Sequence, residues 1–327
     1  MRDSLAAWGW RGLLAACLAW GIEVLLWTDL LARPLSEWLL RVAGYLLVAS
    51  LLLDLAVRYR LRDLTDHMAL LAIGGLSTGL LVAPQLAFAD FPRTLVTRSL
   101  GAFTFLGFEM WALFLLLLGG ATPRYQRIFL MVALLLGFFW GTWMRWTPEF
   151  GLLAQPVSPP IFLGVALFSF GLIVAISRLM ARRAALSPEA LRFDKISGLW
   201  FSLGLIALFL LRAAQGNLQT APTLAVLGLI VVAWSALWFR RSASGTTTLM
   251  RLMPPQPTSL GLVVLGGLIF AGSVGLAYSL PLVGAANLNQ LWVMELGFVL
   301  AGFAWFPVLA ARTALDGVDQ QLRKREL

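Results

Sequence analysis

Cysteine and histidine are nearly missing from this chain: Cys17 and His67 are its single examples of each. One cysteine excludes an intramolecular disulfide, and the pair cannot supply a Cys/His zinc site, a bis-histidine haem or an iron–sulfur cluster. Lysine is almost as rare, with two against 23 arginines, and neither lysine falls in an apolar run, so a retinal-type Schiff base is excluded. The arginine excess, with abundant Leu, Ala and Gly, reads as the coding bias of a GC-rich prokaryote. Charge of either sign is sparse at 13% of residues, against roughly 25% in soluble domains. No nucleotide-binding Gly-x-x-x-x-Gly-Lys loop, no Gly-x-Ser-x-Gly elbow and no paired aspartates for magnesium occur. No cofactor, metal or catalytic residue is therefore expected.

What the chain has in abundance is long apolar runs. Hydrophobic residues make up 60% of it, gathered in blocks of about twenty, the number a helix needs to cross a ~30 Å hydrocarbon core. The runs are continuous and not alternating, which excludes a transmembrane barrel. The fold class read from this pattern is all-α, a polytopic membrane helical bundle of about ten spans. These lie near 12–31, 38–57, 68–89, 95–119, 128–145, 161–176, 196–214, 223–239, 260–280 and 288–311. The connecting stretches are too short to fold as soluble domains, so the chain reads as one transmembrane domain. Leu14-Ala15-Ala16-Cys17 resembles a lipoprotein cleavage box, but its upstream apolar region is too short, and Cys17 is expected to be buried in the first span.

With ten spans and a cytoplasmic N-terminus, 19 of the 25 Lys+Arg residues fall on the inner side and 6 on the outer. That asymmetry follows the positive-inside rule, and it places both termini in the cytoplasm and the chain in the inner membrane. The net charge of +9 is then a property of the loops, directed at lipid head groups and not at nucleic acid.

Three glutamates sit inside apolar runs: Glu23, Glu109 and Glu295. A carboxylate in hydrocarbon costs at least ~2.5 kcal/mol, so such residues face a bundle interior or a cavity. Either they bind a proton or cation, or each is a neutral hydrogen-bonding contact between helices. Helical spacing sets Trp20, Glu23 and Trp27 on one face, a pattern suited to an organic cation. The same spacing aligns Arg98, Ala102, Phe105 and Glu109. Arg93, Arg98, Arg145 and Arg212 form a set on the expected outer side. Each either binds an anionic group, the reading carried forward for Arg98 and Arg145, or snorkels at the interface, the commoner role for any one of them alone. Asp54 and Arg58 read as an interfacial pair, and His67 as a solvated helix-start residue.

The third span carries a break: Gly74, Gly75, Ser77, Thr78 and Gly79, then Pro84 and Gln85. Small residues at four-residue spacing, Gly75–Gly79, Gly137–Gly141 and Gly267–Ala271–Gly275, mark expected close helix crossings. Embedded acids with a broken span point to a small permease-type transporter. A non-catalytic membrane subunit of a larger complex is the alternative, and an intramembrane enzyme acting on lipid-linked substrates a further one. The expected partners are membrane lipid and other membrane subunits; the transported molecule is not specified by these residues.

Overall fold

The computed structural model describes residues 2–26, 33–119, 123–143, 159–181, 187–240, 246–252, 258–279 and 286–325. The described chain is helical throughout, with no strand among the described residues. In order come α1 (Arg2–Ala19), π1 (Trp20–Leu25), α2 (Leu35–Arg58), α3 (Leu64–Ser77), π2 (Thr78–Val82), α4 (Pro84–Ala87), π3 (Leu95–Phe103) and α5 (Thr104–Gly119). Then follow α6 (Pro123–Trp143), α7 (Pro159–Ala181), a 3₁₀ turn (Pro188–Leu191), α8 (Lys195–Ala214), α9 (Thr220–Arg240), α10 (Thr248–Leu252), α11 (Leu260–Ser279) and α12 (Ala286–Arg325).

Eight of these stretches are long and apolar enough to cross a membrane: Leu35–Arg58, Leu64–Val82, Leu95–Gly119, Leu163–Met180, Pro188–Ala214, Thr220–Arg240, Leu260–Ser279 and Leu296–Asp316. They coincide with eight of the ten expected runs. The fifth run corresponds to a shorter apolar helix, Gln126–Gly141. The first corresponds to α1 and π1, where Arg11 and Glu23 interrupt the apolar sequence and both are buried. Cys17 is likewise buried within α1.

The chain divides into two compact units, each assembled from separate stretches. The first comprises Met1–Trp38, Glu109–Leu186 and Leu252–Met294; the second comprises Leu39–Phe108, Ser187–Arg251 and Glu295–Leu327. Four of the five boundaries fall inside helices, α2, α5, α10 and α12.

In the first unit α6 packs along α11. Gly137 and Gly141 allow this approach: a Cβ added at Gly137 would sit 2.0 Å from Ser273 Oγ, and one at Gly141 2.6 Å from the Val274 carbonyl. Trp140 stacks on Phe270 in the same seam, with ring centroids 5.5 Å apart. Thr258 donates its hydroxyl to the Leu116 carbonyl at 2.7 Å, and Arg178 donates to the Thr258 carbonyl at 2.7 Å, which ties the entry to α11 to α5 and α7.

In the second unit α3 is central, packed along α9 and against π3. The Leu64–Val82 window is 89% buried, while Pro188–Ala214 is 11% buried and carries exposed Ile196, Leu199 and Trp200. A helix so apolar and so exposed suits a lipid environment and not water. The core gathers Leu76, Leu80, Leu81, Ala87, Phe88, Leu95, Leu100, Leu208 and Val226. Gly75 and Gly79 are again seats for a neighbour: a Cβ at Gly79 would meet Ser99 Oγ at 2.2 Å, and one at Gly75 would meet Thr104 Oγ1 at 2.1 Å.

At the start of α3, Asp63 and Asp66 form a reciprocal capping box that satisfies the first free N–H groups of the helix. Arg240, at the end of α9, donates to both of these carboxylates and to Asp316 of α12, so one guanidinium joins three segments. His67 follows the box. It is buried, with Nδ1 2.6 Å from the Asp63 carbonyl, and not solvated as its position in the sequence suggested. The pair Asp54 and Arg58 forms at 2.9 Å, and Asp54 also accepts the Phe193 N–H at 2.9 Å, which fixes the segment before α8 to α2.

The third small-residue motif behaves differently. Gly267 has only an ordinary contact with Leu167, and nothing lies within 4 Å of a Cβ at Gly275. Gly79→Ala and Gly137→Ala are therefore expected to destabilise the protein by about 1–3 kcal/mol through overpacking. Gly275→Ala is expected to be neutral or to stabilise by up to about 1 kcal/mol, from helix propensity alone. Unfolding of the purified variants in mixed micelles compares them.

Candidate functional site

Glu23 lies in π1, a stretch where hydrogen bonds run from residue i to i+5. Such turns are uncommon in proteins and recur at functional sites. Glu23 is only 1% exposed. A lone buried carboxylate would be severely unfavourable, and Arg33 supplies the counter-charge through a direct ion pair with its Oε2. The Arg33 guanidinium carbon lies 5.6 Å from the centre of the Trp38 ring, within cation–π range. The aromatic ring that meets the Arg33 guanidinium is that of Trp38. Trp20, expected to share a face with Glu23, is committed elsewhere: its indole N–H donates to the Ala166 carbonyl at 3.1 Å, and its ring packs on Phe170 and Phe270. Trp27 lies outside the described residues.

Glu109 lies on α5 in the same unit. Its Oε2 is buried and has no hydrogen-bond partner among the described residues. Its neighbour Met110 packs against Gly21 of π1, where an added Cβ would fall 2.4 Å from Met110 Cγ. The two segments that carry Glu23 and Glu109 therefore meet at a glycine-sized crossing, a juxtaposition for which spacing along either segment gives no signal.

The alignment of Arg98, Ala102, Phe105 and Glu109 on one face does not survive. Residues 95–103 are π-helical, so α-helical spacing misplaces Arg98 around the axis. Ala102 is fully buried while Phe105 is exposed. Arg98 is half-buried in π3. Glu295 lies on α12 with its side chain outside the described residues, and Arg145 lies outside them altogether. Among the described residues no three His, Cys, Asp or Glu side chains group to hold a metal ion.

The break in the third span takes a definite form in the second unit. Pro84 has no N–H to donate and disfavours helical backbone at the residue before it, and Ala83 takes φ −132°, ψ 53°. The Ala83 N–H reaches back to the Thr78 carbonyl at 3.0 Å, which makes the last turn π-helical. The carbonyls of Leu81 and Val82 are left without their helical partners. Arg212 fills this gap: Nε donates to Leu81 O at 3.0 Å and Nη2 to Val82 O at 2.9 Å.

Its Nη1 donates to Gln215 Oε1 at 3.1 Å, Asn217 donates to the same oxygen, and Gln85 donates to Asn217. Arg212 sits one turn before Gly216, whose φ of +72° ends α8. It is 0% exposed, so the expected snorkelling is wrong. The free carbonyls and the negative end of a helix hold the guanidinium more strongly than a membrane surface would.

Two features of the fold thus attract cations, and in each a guanidinium of the chain is the cation bound: Arg33 at Glu23 and Arg212 at the helix break. Neither Arg33 nor Arg212 stands out in the sequence by composition or spacing. The one sequence signal for Arg212, shared with Arg33, is its place on the expected outer side, where basic residues are few.

Removing the Arg212 head group strands two buried carbonyls, at about 1–3 kcal/mol each. Arg212→Met is expected to destabilise the protein by roughly 3 kcal/mol or more, with Arg212→Lys intermediate because an ammonium lacks the planar fork. Unfolding of the solubilised variants checks this, and equal stability of the Met variant and the parent would contradict the assignment. Comparison of the chain with protein-family models, with curated proteins and with solved structures finds no match.

Proposed function

We propose that the chain is a small permease-type carrier of the inner membrane, with ten spans and both termini cytoplasmic, in which Glu109 takes up and releases a proton or cation. The observation that carries this reading is the Glu109 carboxyl oxygen, buried on a span with no hydrogen-bond partner among the described residues. A glutamate that served only to join helices would place both oxygens on donors of neighbouring helices. One left open in an apolar layer is suited to a mobile charge.

Two further features support it. The 19-to-6 distribution of basic residues favours ten spans and this orientation. The Gly21–Met110 crossing holds the segment that carries Glu109 against the segment that carries Glu23. Interrupted helices such as α3–π2–α4 are a recurring feature of carriers, although no inverted repeat accompanies this one.

The test is proton uptake into proteoliposomes that enclose a pH-sensitive dye, driven by an imposed membrane potential. Glu109→Gln is expected to reduce uptake at least about tenfold, equivalent to ~1.4 kcal/mol or more on the rate. Its helical content and its elution from a sizing column should match the parent. Undiminished uptake by a folded Glu109→Gln protein would overturn the carrier reading and favour a non-catalytic membrane subunit.

A further inference from the structure

The far end of α12 is tied to the second unit through a single side chain. Leu309 is buried, but residues 310–312 and 314–315 are exposed. Asp316 comes next, and among the described residues past Leu309 it alone forms an ion pair with another helix, through Arg240 of α9. Nine residues before Asp316 stands Pro307, inside the helix. Proline has no N–H for the Phe303 carbonyl, so the segment that carries Asp316 begins at a weak point of α12.

Both members of the Asp316–Arg240 pair are provided for when it breaks. Arg240 keeps Asp63 and also Asp66, which accepts from its Nε at 2.7 Å. Asp316 keeps Arg312, one turn earlier on its own helix, at 3.5 Å. Separating a buried pair normally strands a charge, and that cost holds such pairs shut. Here separation strands none. The guanidinium retains two carboxylates at the start of α3, and the departing carboxylate carries an arginine with it. The capping box fixes Asp63 and Asp66, so Arg240 stays with α3 whichever way α12 lies. The anchor Asp66 has a side chain 6% exposed, against 25% for Asp316 and 51% for Arg312, so the exchange takes place where water and ions reach it.

We propose that α12 beyond Pro307 is a releasable strap at the end of the second unit where α3 begins and α9 ends. It is clasped when Arg240 holds Asp316 and released when Asp316 falls back on Arg312. Two discrete arrangements of one segment, each with its charges paired, are what a switching element requires. The clasp follows from these contacts alone. Its use, to let one end of the second unit open and close, rests on the carrier reading above. Salt shifts the balance toward release, because it screens the pair that joins two helices, while the Arg312 pair lies within one helix and holds nothing together.

The experiment reads the distance between two spin labels by pulsed double electron resonance, on the full-length protein in detergent. In a Cys17→Ser background the labels are attached through Ile196→Cys, at the exposed start of α8, and Ala314→Cys, exposed on the strap. Both positions belong to the second unit. At low salt the labelled parent is expected to give one dominant distance. Asp316→Asn should raise the population of a second, displaced distance roughly fivefold, the effect of losing one part-exposed ion pair. Sodium chloride should raise the same population in the parent and leave Asp316→Asn unchanged. Arg312→Ala removes the receiving partner and spares the clasp, so it should not raise it.

A distance that neither Asp316→Asn nor salt alters would overturn the proposal. So would a displaced population in Arg312→Ala as large as in Asp316→Asn, since Arg312 would then belong to the clasp. Where Asp316→Asn does not fold, the salt series on the labelled parent decides by itself. The measurement involves no flux. A strap that moves, with Glu109-dependent uptake absent, would remove the carrier reading and leave the strap standing. A fixed distance with intact uptake would remove the strap alone.

Discussion

A helix that stops inside an apolar layer leaves carbonyl groups that no water can reach, and the chain itself must satisfy them. In this protein the constraint acts at Leu81 and Val82, because the chain turns at Ala83 before Pro84 and the N–H groups of Leu86 and Ala87 go to the Ala83 carbonyl. The Arg212 guanidinium meets it. The consequence spreads through the second unit. Arg212 fixes the end of α8 against π2, and Leu208, one turn earlier on α8, joins the core that holds Leu80, Leu81, Phe88 and Val226. The most buried helix of the unit is thus also the one whose end depends on a side chain more than a hundred residues away.

The same requirement, that buried charge and polarity be matched within the chain, recurs elsewhere with arginine as the answer. Arg33 meets Glu23. Arg240 gathers Asp63, Asp66 and Asp316 at the other end of α3. At Arg212 and Arg240 the guanidinium uses several donors in different directions, which a lysine ammonium on its flexible stem reproduces poorly. The ratio of 23 arginines to two lysines, attributable in the sequence to coding bias, is therefore also consistent with what these positions need. Glu109 stands apart from the pattern, since its Oε2 has no partner among the described residues. Arg33 pairs with the Glu23 carboxylate, whereas no such partner meets Glu109 Oε2 among the described residues.

Close packing sets where these groups can stand. Gly75 and Gly79 bring π3 and α5 against α3, Gly137 and Gly141 bring α11 against α6, and Gly21 brings Met110 against π1. Only the last adjoins candidate binding residues. Glycine motifs look alike in sequence, and Gly267–Ala271–Gly275 has the same spacing with no tight neighbour at Gly267 or Gly275. The use of a small residue depends on what the opposite helix presents, which is not a local property.

The division between sequence and structure follows from range. Hydrophobic runs, the interruption before Pro84 and the Asp54–Arg58 spacing are local patterns, governed by residues within one or two turns, and the structure places helices, the break and the ion pair where they indicate. Inferences that extended α-helical periodicity failed where the backbone changed its turn: residues 95–103 are π-helical, so Arg98 and Glu109 lose their shared face. The burial of His67 and Arg212, the commitment of Trp20 to Ala166, and the pairing of Arg33 with Glu23 beside Trp38 were settled only by which elements pack together. The sequence by itself determined that the chain is helical, apolar and marked by a few embedded charges, because those properties follow from composition and period. The tertiary structure decided which embedded charge is neutralised and which stays open, because the free energy of a buried charge depends on the partner brought to it across the fold.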